Sequence, residues 1–542
     1  MGMSRHGVTG EVGRELQVNP SLQEDAVKRF IALYADRIIG TLNGFDRLVF
    51  RGTLRRLSFV EGLMSLLWKR HVLLKDFAGY AEAVTERLKS ASLEEARRLG
   101  RPEIYLHSSR TDKEEVALRV GEKDGIREGL IAVLSCVEPC RTFEIYRCRE
   151  TKRLELVPRI RKCLHLYHYF IDPVLGLMNA RIQTWFPFSI QVCLNGREWL
   201  AREMDRAGIS YRRRDNCFIW LGDLEAAQRL MDRQLSTDWP QTLDAISRRL
   251  NPAHGDILED FTTDYYWSVY QSEWASDVMF KDAAALAEIY PALVLHGITT
   301  FGSADVMRFL GRRVRCDFAG EIVSDFKNRP EGVRIKHRLG SNSIKLYDKQ
   351  GSVLRPETTI NDPSDFKVFR PKEGDPTGPL AWRKLRRGVA DLHRLAQVSQ
   401  AANERYLDAL ASADSSTPLG KLVEQICRPT AWKGTRMRAL HPLSEGDSLL
   451  LKAVSRGEFK LNGVRNRHLQ AILYSQPPSS EQEHRRRSAR VGRQLRLLRA
   501  HGLIRRLGRS HRYVLTAAGQ EIIAALLAAQ RASLEQLRRI AA

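Results

Sequence analysis

The stretch SARVGRQLRLLRAHGLIRRLGRSHRYVLTAAGQEIIAALL, residues 488–527, decides the fold class of the C-terminal part of the chain. Its first part places Val491, Leu495 and Leu498 on one helical stripe, with arginines around the opposite side. Gly502 is typical of a helix end. LIRRL and HRYVL then predict two strands joined by a tight basic turn, and TAAGQEIIAALL predicts a capped helix. The order is therefore helix, β-hairpin, helix.

This order resembles the winged-helix regions of bacterial regulators of the MarR type. RQLRLLRAHGLI (493–504) matches the recognition helix, and RRLGRSHRYVLT (505–516) matches the wing. The resemblance implies a winged-helix domain over residues 444–542 that binds duplex DNA. Eleven arginines and no carboxylate lie between Arg485 and Arg512, a run that repels itself without a polyanion partner. The residues expected to contact nucleic acid there are Arg490, Arg493, Arg496, Arg499, Arg505, Arg506, Arg509, His511 and Arg512.

The composition of the whole chain agrees with a nucleic-acid partner. Among 542 residues, 87 are lysine or arginine and 64 are acidic, a net charge of +23, and 43% are hydrophobic. This indicates a globular chain of several domains that meets a polyanion. The N-terminus lacks the apolar core of a signal peptide, and no stretch is apolar for long enough to span a bilayer. We therefore expect a cytoplasmic protein with no membrane partner and reduced cysteines.

The chain divides by pattern into segments of different character. We expect a flexible arm over 1–25, a mixed α/β region over 26–195, a helical region over 196–412 that contains a β-meander at 333–360, and a linker over 413–443. The fold class predicted is therefore a multidomain α+β protein. It has a mixed α/β body with an antiparallel meander, followed by the C-terminal winged helix.

Local patterns inside the body predict individual elements. RFIALYADRIIGTL (29–42) and DYYWSVYQSEWASDVMF (264–280) have apolar spacings typical of helices. NGREWLAREMDRAGI (195–209) predicts a helix that ends at Gly208, and DLEAAQRLMDRQL (223–235) predicts one with an aspartate cap. FDRLVFRGTL (45–54) favours a strand.

The meander carries the second resemblance. SIKLYDKQGSVLRPE (343–357) resembles the "YDK…LRxE" strand pair of rolling-circle replication initiators and related nickases, with Pro356 as a departure because proline donates no ladder hydrogen bond. The matching residues are Tyr347, Asp348, Lys349, Leu354, Arg355 and Glu357.

The resemblance implies a DNA-nicking enzyme with a tyrosine nucleophile and a divalent metal. Tyr266 and Tyr270 are the candidate nucleophiles, four residues apart on the predicted helix. Asp348 and Glu357 are the candidate acidic residues. The same strands carry Lys336 and Lys345, which we expect to present a basic face to a nucleic-acid backbone.

Two further groups of residues are candidate metal ligands. Asp46, Glu138, Asp348 and Glu357 are acids from which a two-metal nuclease cluster could be assembled. Four cysteines within 28 residues could hold structural zinc, with His165 and His168 just beyond them. These cysteines are Cys136, Cys140, Cys148 and Cys163.

The leading interpretation is a multidomain nucleic-acid-binding protein that grips duplex DNA through the C-terminal winged helix. Its size and charge favour a protein of a mobile element or of replication. One alternative is a nickase or transposase-like enzyme with a tyrosine nucleophile and metal. Another is a non-catalytic binder of structured RNA, with arginines on the backbone and aromatic rings on the bases. The sequence leaves catalysis, target sequence and oligomeric state open.

Overall fold

A computed structural model describes residues 29–251, 265–299, 301–312, 322–329, 332–372, 375, 377–411, 419–456, 459, 463–474, 476–506 and 511–531. The predicted arm over 1–25 lies outside these residues. The α-helices, α1 to α14 in chain order, are Val60–Lys69, Phe77–Arg98, Lys113–Lys123, Gly196–Ala207, Leu224–Asp232, Trp239–Leu250, Ala283–Thr299, Ser303–Phe309, Leu392–Leu410, Leu419–Glu424, Glu445–Val454, Asn466–Leu473, Glu481–Ala500 and Ala517–Arg531. The strands, β1 to β19, are Ile38–Leu54, Glu103–Tyr105, Gly129–Arg147, Leu154–Asp172, Gly176–Gln183, Ile190–Asn195, Tyr211–Arg214, Cys217–Leu221, Tyr265–Phe280, Ile322–Arg329, Gly332–Leu339, Asn342–Lys349, Val353–Ile360, Lys367–Arg370, Ala381–Lys384, Thr430–Trp432, Thr435–Met437, Ile504–Arg506 and Tyr513–Leu515.

The described residues form two compact units. The described residues within 34–288 and 325–403 form the sheet unit, and those within 29–33, 289–324 and 404–531 form the C-terminal unit. The sheet unit therefore draws on both regions that the sequence analysis separated at residue 195. The C-terminal unit extends beyond the predicted start at residue 444, and the described part of the predicted linker contains α10, β16 and β17.

One sheet of 11 strands forms the centre of the sheet unit, in the order β10-β11-β12-β13-β9-β1-β6-β5-β4-β3-β2. Neighbouring strands from β11 to β3 in this order pair antiparallel, and β2 and β3 pair parallel. The prediction of a mixed α/β body with an antiparallel meander is confirmed, and β11, β12 and β13 are that meander.

Strand β1 lies in the middle of this sheet, between β9 and β6. Helices α4 and α5 pack closely on it. A Cβ atom at Gly44 would lie 2.3 Å from Met231 Cε, and one at Gly196 would lie 1.9 Å from the carbonyl oxygen of Phe45. Glycine is therefore required where these helices meet the strand. The predicted helix over 29–42 is wrong in its second half, because β1 already begins at Ile38.

Strand β9 is the largest departure from the sequence prediction, since residues 264–280 were expected to be helical. The strand is bordered on both sides, and every residue from Trp274 to Phe280 is buried. A strand covered on both faces loses the apolar–polar alternation that identifies strands in sequence. The predicted helices around residues 195–209 and 223–235 are confirmed, with Gly208 at a left-handed φ of 67° and Asp223 accepting from the Ala226 amide.

The C-terminal unit is mainly helical, with β18 and β19 as a short antiparallel pair. Val491, Leu495 and Leu498 are buried on α13 as the spacing predicts, and Gly502 follows the helix at a φ of 70°. Helix α13 begins at Glu481, earlier than predicted, because Ser480 caps it through the Glu483 amide. None of the helices in the described part of the chain combines the length and apolarity needed to cross a bilayer.

Candidate functional site

Three carboxylates meet in the sheet unit: Asp46 of β1, Glu273 of β9 and Glu357 of β13. One oxygen of each lies within 4.8 Å of the others. Glu357 is paired with Ala275 in the β13–β9 ladder, two residues from Glu273. Because side chains alternate with a period of two along a strand, both glutamates lie on the same face.

A β-bulge brings the third carboxylate to this face. Along β1, Phe45 is paired with Trp274 and Arg47 with Glu273, so Asp46 is an extra residue with no partner of its own in this ladder. Bulges re-aim side chains and recur beside active sites. Here the bulge explains how Asp46 comes close to Glu273 although Arg47 is the residue in register.

Lys345 of β12 holds the two glutamates together. Its Nζ atom lies 2.5 Å from Glu357 Oε1 and 3.3 Å from Glu273 Oε1. The Tyr347 hydroxyl donates a short hydrogen bond to the other oxygen of Glu357. Glu357 is therefore fixed by two donors, whereas the hydrogen bond from Lys345 to Glu273 reaches a single oxygen.

A buried network of arginines lies next to the carboxylates. Arg355 donates from Nη2 to Asp277 at 2.8 Å and from Nη1 to Asp46 Oδ1 at 3.1 Å. Arg197 Nη2 lies 2.9 Å from Asp277, and the side chains of Arg197, Arg355 and Asp277 are almost fully buried. Together with Lys345, the network sets three cations against four carboxylates. Arg47, which is paired with Glu273 in the β1–β9 ladder, is a further cation that lowers the pKa of that glutamate.

The pKa values of the three carboxyls shift in different directions. Burial raises the pKa of Asp46; Arg355 opposes that shift, and Glu357 reinforces it. Burial and then Glu357 raise the pKa of Glu273. Burial opposes charge on Glu357 too, but Lys345, Tyr347 and Arg355 together lower the pKa of Glu357. Two of the three carboxyls therefore resist ionisation unless a further cation joins them.

The donor set fits a hard divalent cation. Carboxylate oxygens are the ligands that Mg²⁺ and Mn²⁺ prefer. Among the described residues, the hydrogen bonds that reach Asp46 all end on Oδ1, from Arg355 and Asn216. The second oxygen of Asp46, like that of Glu273, is therefore available to a metal ion.

The two candidate tyrosines lie on strand β9 and not on a helix. Tyr266 is paired with Thr53 of β1, whereas Tyr270 is an extra residue at a β-bulge between Val269 and Gln271. Both are exposed, Tyr266 by 37% and Tyr270 by 43%. The guanidinium of Arg55 lies 3.5 Å from the ring centre of Tyr266, and that of Arg51 lies 5.9 Å from that of Tyr270.

Tyr270 is the tyrosine that shares a groove with Glu273. An open groove of about 650 Å³ is lined by Tyr270, Glu273 and Lys345 together with Lys336, Arg338 and Arg387. Tyr266 does not line it. The structure thus favours Tyr270 over Tyr266 as the candidate nucleophile, whereas the sequence analysis made the two equivalent.

The other residues of the meander take different positions from those expected. Asp348 is paired with Leu354 and, by alternation, faces away from Glu357. Lys336 and Lys345 are directly opposite each other, but only Lys336 adds charge to the groove wall, since Lys345 is neutralised by the glutamates. Pro356 is tolerated because the β13–β9 pairs stop at Leu354 and resume at Glu357.

Glu138, the remaining predicted acid, belongs to a separate polar group. It accepts from Tyr167 at 2.7 Å and pairs with Arg181 at 2.8 Å and Lys113 at 3.3 Å. Glu273 was missed by the sequence analysis. The alternation of Glu273, Ala275 and Asp277 along a strand could have indicated this residue, but the segment was predicted to be a helix.

The four predicted zinc ligands are divided among three places. Cys140 and Cys163 come together with His165 on β3 and β4. Cys136 is buried and its thiol donates to Glu138 at 3.2 Å. Cys148 follows the end of β3.

The arginines of the C-terminal unit are mostly exposed. On α13, Arg490, Arg493 and Arg496 face solvent and pair with no carboxylate among the described residues. Arg499 is half-buried, with its guanidinium 4.9 Å from the ring centre of Trp432. Arg505, Arg506 and His511 are exposed and Arg512 is half-buried, while Arg509 lies outside the described residues.

Comparison with known proteins adds no assignment to this geometry. A scan of protein-family models, a search of curated proteins and a search of solved structures each find no match to the chain.

Proposed function

We propose that the chain is a nucleic-acid-processing enzyme that cleaves or transfers a phosphodiester in the groove of the sheet unit. Asp46, Glu273 and Glu357 would hold a divalent cation there, and Tyr270 would be the nucleophile. The observation that carries the proposal is the cluster of these three carboxylates, one of which, Glu273, lines the same groove as Tyr270. A cation in this position would stabilise charge on the phosphate oxygens.

The proposed reaction is a transesterification. The Tyr270 oxygen attacks phosphorus and loses its proton to solvent. The bond from phosphorus to one sugar oxygen breaks, and that oxygen takes up a proton. The product is a phosphotyrosine that conserves the phosphodiester energy and allows the strand to be rejoined.

The groove offers positive charge for the rest of the backbone. Lys336, Arg338 and Arg387 line it, and Arg51 lies beside the ring of Tyr270. A strand that passes the tyrosine would therefore meet cations on either side of the scissile phosphate. Backbone contacts of this kind position a nucleic acid without reading its sequence.

The C-terminal unit supports the second part of the proposal, a winged helix that grips duplex DNA. Helices α12 and α13, the β18–β19 pair and α14 follow in the order that such domains have, and Val464 bridges to Tyr513 beside the hairpin. Exposed arginines on α13 would enter the major groove. A protein that combines such a grip with strand cleavage suits replication or movement of a DNA element.

Cleavage of labelled DNA by the full chain tests the proposal. With Mn²⁺ we expect nicking of a labelled single strand or supercoiled duplex, and a protein–DNA adduct that survives denaturant. Chelation of the metal and the Glu357→Gln variant should each abolish both. Tyr270→Phe should abolish the adduct, and the matched variant Tyr266→Phe should retain it.

Two results would overturn the enzymatic proposal. Cleavage that persists in chelator would exclude the carboxylates as a metal centre, and an adduct in Tyr270→Phe would exclude this nucleophile. Absence of cleavage, combined with structured RNA that stays bound through purification in high salt, would favour the non-catalytic RNA-binding alternative.

A further inference from the structure

A second group of metal-ligating side chains lies on the β3–β4 pair. The thiols of Cys140 and Cys163 and one ring nitrogen of His165 all lie within 4.8 Å of one another. Cys163 is paired with Glu138, two residues before Cys140 on β3. The alternation of both strands therefore places all three side chains on one face.

The histidine supplies an independent indication of a missing ligand. His165 is fully buried, and its Nδ1 atom lies 3.2 Å from the carbonyl oxygen of Cys163. Its Nε2 atom is buried with no hydrogen-bond partner among the described residues. A buried polar atom without a partner is costly, which makes a bound ligand the physical explanation to test.

Cys140 and Cys163 are both free thiols and form no disulfide in the structure. The Cys140 thiol donates to the carbonyl oxygen of Arg161 at 3.5 Å. Neither sulfur atom is engaged in a covalent bond to another, so both can act as metal ligands.

We propose that Cys140, Cys163 and His165 bind a zinc ion that joins β3 to β4. Two thiolates and one imidazole are the donors that zinc accepts and that Mg²⁺ does not. Binding would release the thiol protons and leave a fourth coordination position for water or another ligand. This site is separate from the carboxylate groove, and it differs from a four-cysteine site because it excludes Cys136 and Cys148.

Cobalt(II) binding to the reduced, metal-free full chain tests the proposal. Thiolate ligation gives sulfur-to-cobalt charge-transfer absorption, which carboxylates cannot produce, so the signal is independent of the groove. We expect one equivalent of Co²⁺ to produce this absorption and Zn²⁺ to displace it. Cys140→Ser and Cys163→Ser should each lose it, whereas the control variants Cys148→Ser and Glu357→Gln should keep it.

A measurement on the wild-type chain covers the case in which a variant does not fold. Zn²⁺ should protect Cys140 and Cys163 from alkylation while the exposed Cys427 reacts at the same rate. Equal alkylation with and without Zn²⁺ would overturn the proposal. So would charge-transfer absorption that persists in both serine variants, or a Cys140–Cys163 disulfide in place of metal in protein isolated without reductant.

Discussion

The Nζ atom of Lys345 lies 2.5 Å from Oε1 of Glu357, and this carboxylate is 2% exposed. The candidate metal centre therefore contains a cation of its own. Burial disfavours charge on Lys345, but Glu357 and Glu273 outweigh it and raise the pKa of the lysine. Lys345 stays charged at neutral pH and partly offsets the repulsion between the carboxylates.

The Lys345→Met variant should reveal this role. Without metal, it leaves buried carboxylates without their counter-ion, and we expect a loss of about 3–5 kcal/mol in the free energy of unfolding. Saturating Mn²⁺ should restore much of the loss, about 2.7 kcal/mol at 100 times the dissociation constant. Denaturant titrations with Mn²⁺ and with chelator measure both quantities.

Lys336→Met is the matched control for that experiment. Lys336 lies directly opposite Lys345, and burial followed by the charge of Lys345 lowers its pKa. Its removal should cost little and should not change the response to Mn²⁺. A free energy of unfolding of Lys345→Met that is the same with and without Mn²⁺ would contradict a metal site at the glutamates.

The pH dependence of stability tests the environment of Asp46 through the Asp46→Asn variant. Because the pKa of Asp46 is raised in the folded state above its ordinary value of 3.8, the folded chain binds this proton more tightly than the unfolded chain. The wild type therefore loses stability relative to the variant as the pH rises from the unfolded pKa to the folded pKa. The loss is about 1.4 kcal/mol for each pH unit between these two values. Above the folded pKa the difference is constant.

In the absence of metal, Asp46→Asn should accordingly gain stability relative to the wild type as the pH rises from acidic to neutral. Mn²⁺ should stabilise the wild type and leave Asp46→Asn almost unchanged. Asp348→Asn is the control, since burial raises the pKa of Asp348 as well but this residue faces away from the cluster. A Mn²⁺ response lost in Asp348→Asn and kept in Asp46→Asn would refute the assignment of ligands.

How much of this site could be predicted differs from strand to strand. The alternation of β11 and β12 predicted the meander and put Glu357 on a strand, although every residue of β13 is buried. Glu273 could not be predicted, because β9 is buried on both faces toward its end and its sequence has the spacing of a helix. Asp46 was a candidate by residue type alone, and only the bulge explains its orientation.

The C-terminal unit was more predictable because its contacts are local. The stripe of Val491, Leu495 and Leu498, the stop at Gly502 and the helix that follows Thr516 all depend on neighbours close in sequence. The sheet, by contrast, pairs β1 with β9 across more than 200 residues. No local pattern specifies that pairing.

Gly519→Ala should destabilise the C-terminal unit. A Cβ atom at Gly519 would lie 2.0 Å from the carbonyl oxygen of Leu503, which is backbone and cannot move aside cheaply. We expect a loss of about 1–3 kcal/mol, measured by hydrogen exchange of α14. The control Gly492→Ala meets only Asn466 Nδ2 at 3.8 Å and should be neutral or stabilising by up to about 1 kcal/mol.

Variants of Arg493 and Arg505 test which arginines of the C-terminal unit contact bases and which contact phosphates. Arg493 is exposed on α13, which would enter the groove, and Arg505 is exposed on β18, which would face the flanking backbone. Arg493→Ala should cost about 1–3 kcal/mol on a preferred duplex and less on a scrambled one. Arg505→Ala should weaken both by similar amounts and reduce the slope of log affinity against log salt by about one.

Competition binding with the two duplexes at several salt concentrations distinguishes these roles. Arg485→Ala is the control, because Arg485 already pairs with Glu481 at 2.5 Å and has less charge to offer DNA. If Arg493→Ala weakens both duplexes equally, α13 is an electrostatic anchor and sequence choice lies elsewhere. If neither Arg493→Ala nor Arg505→Ala weakens binding, the C-terminal unit is not the DNA grip, and the charge of the groove around Tyr270 must bind the nucleic acid by itself.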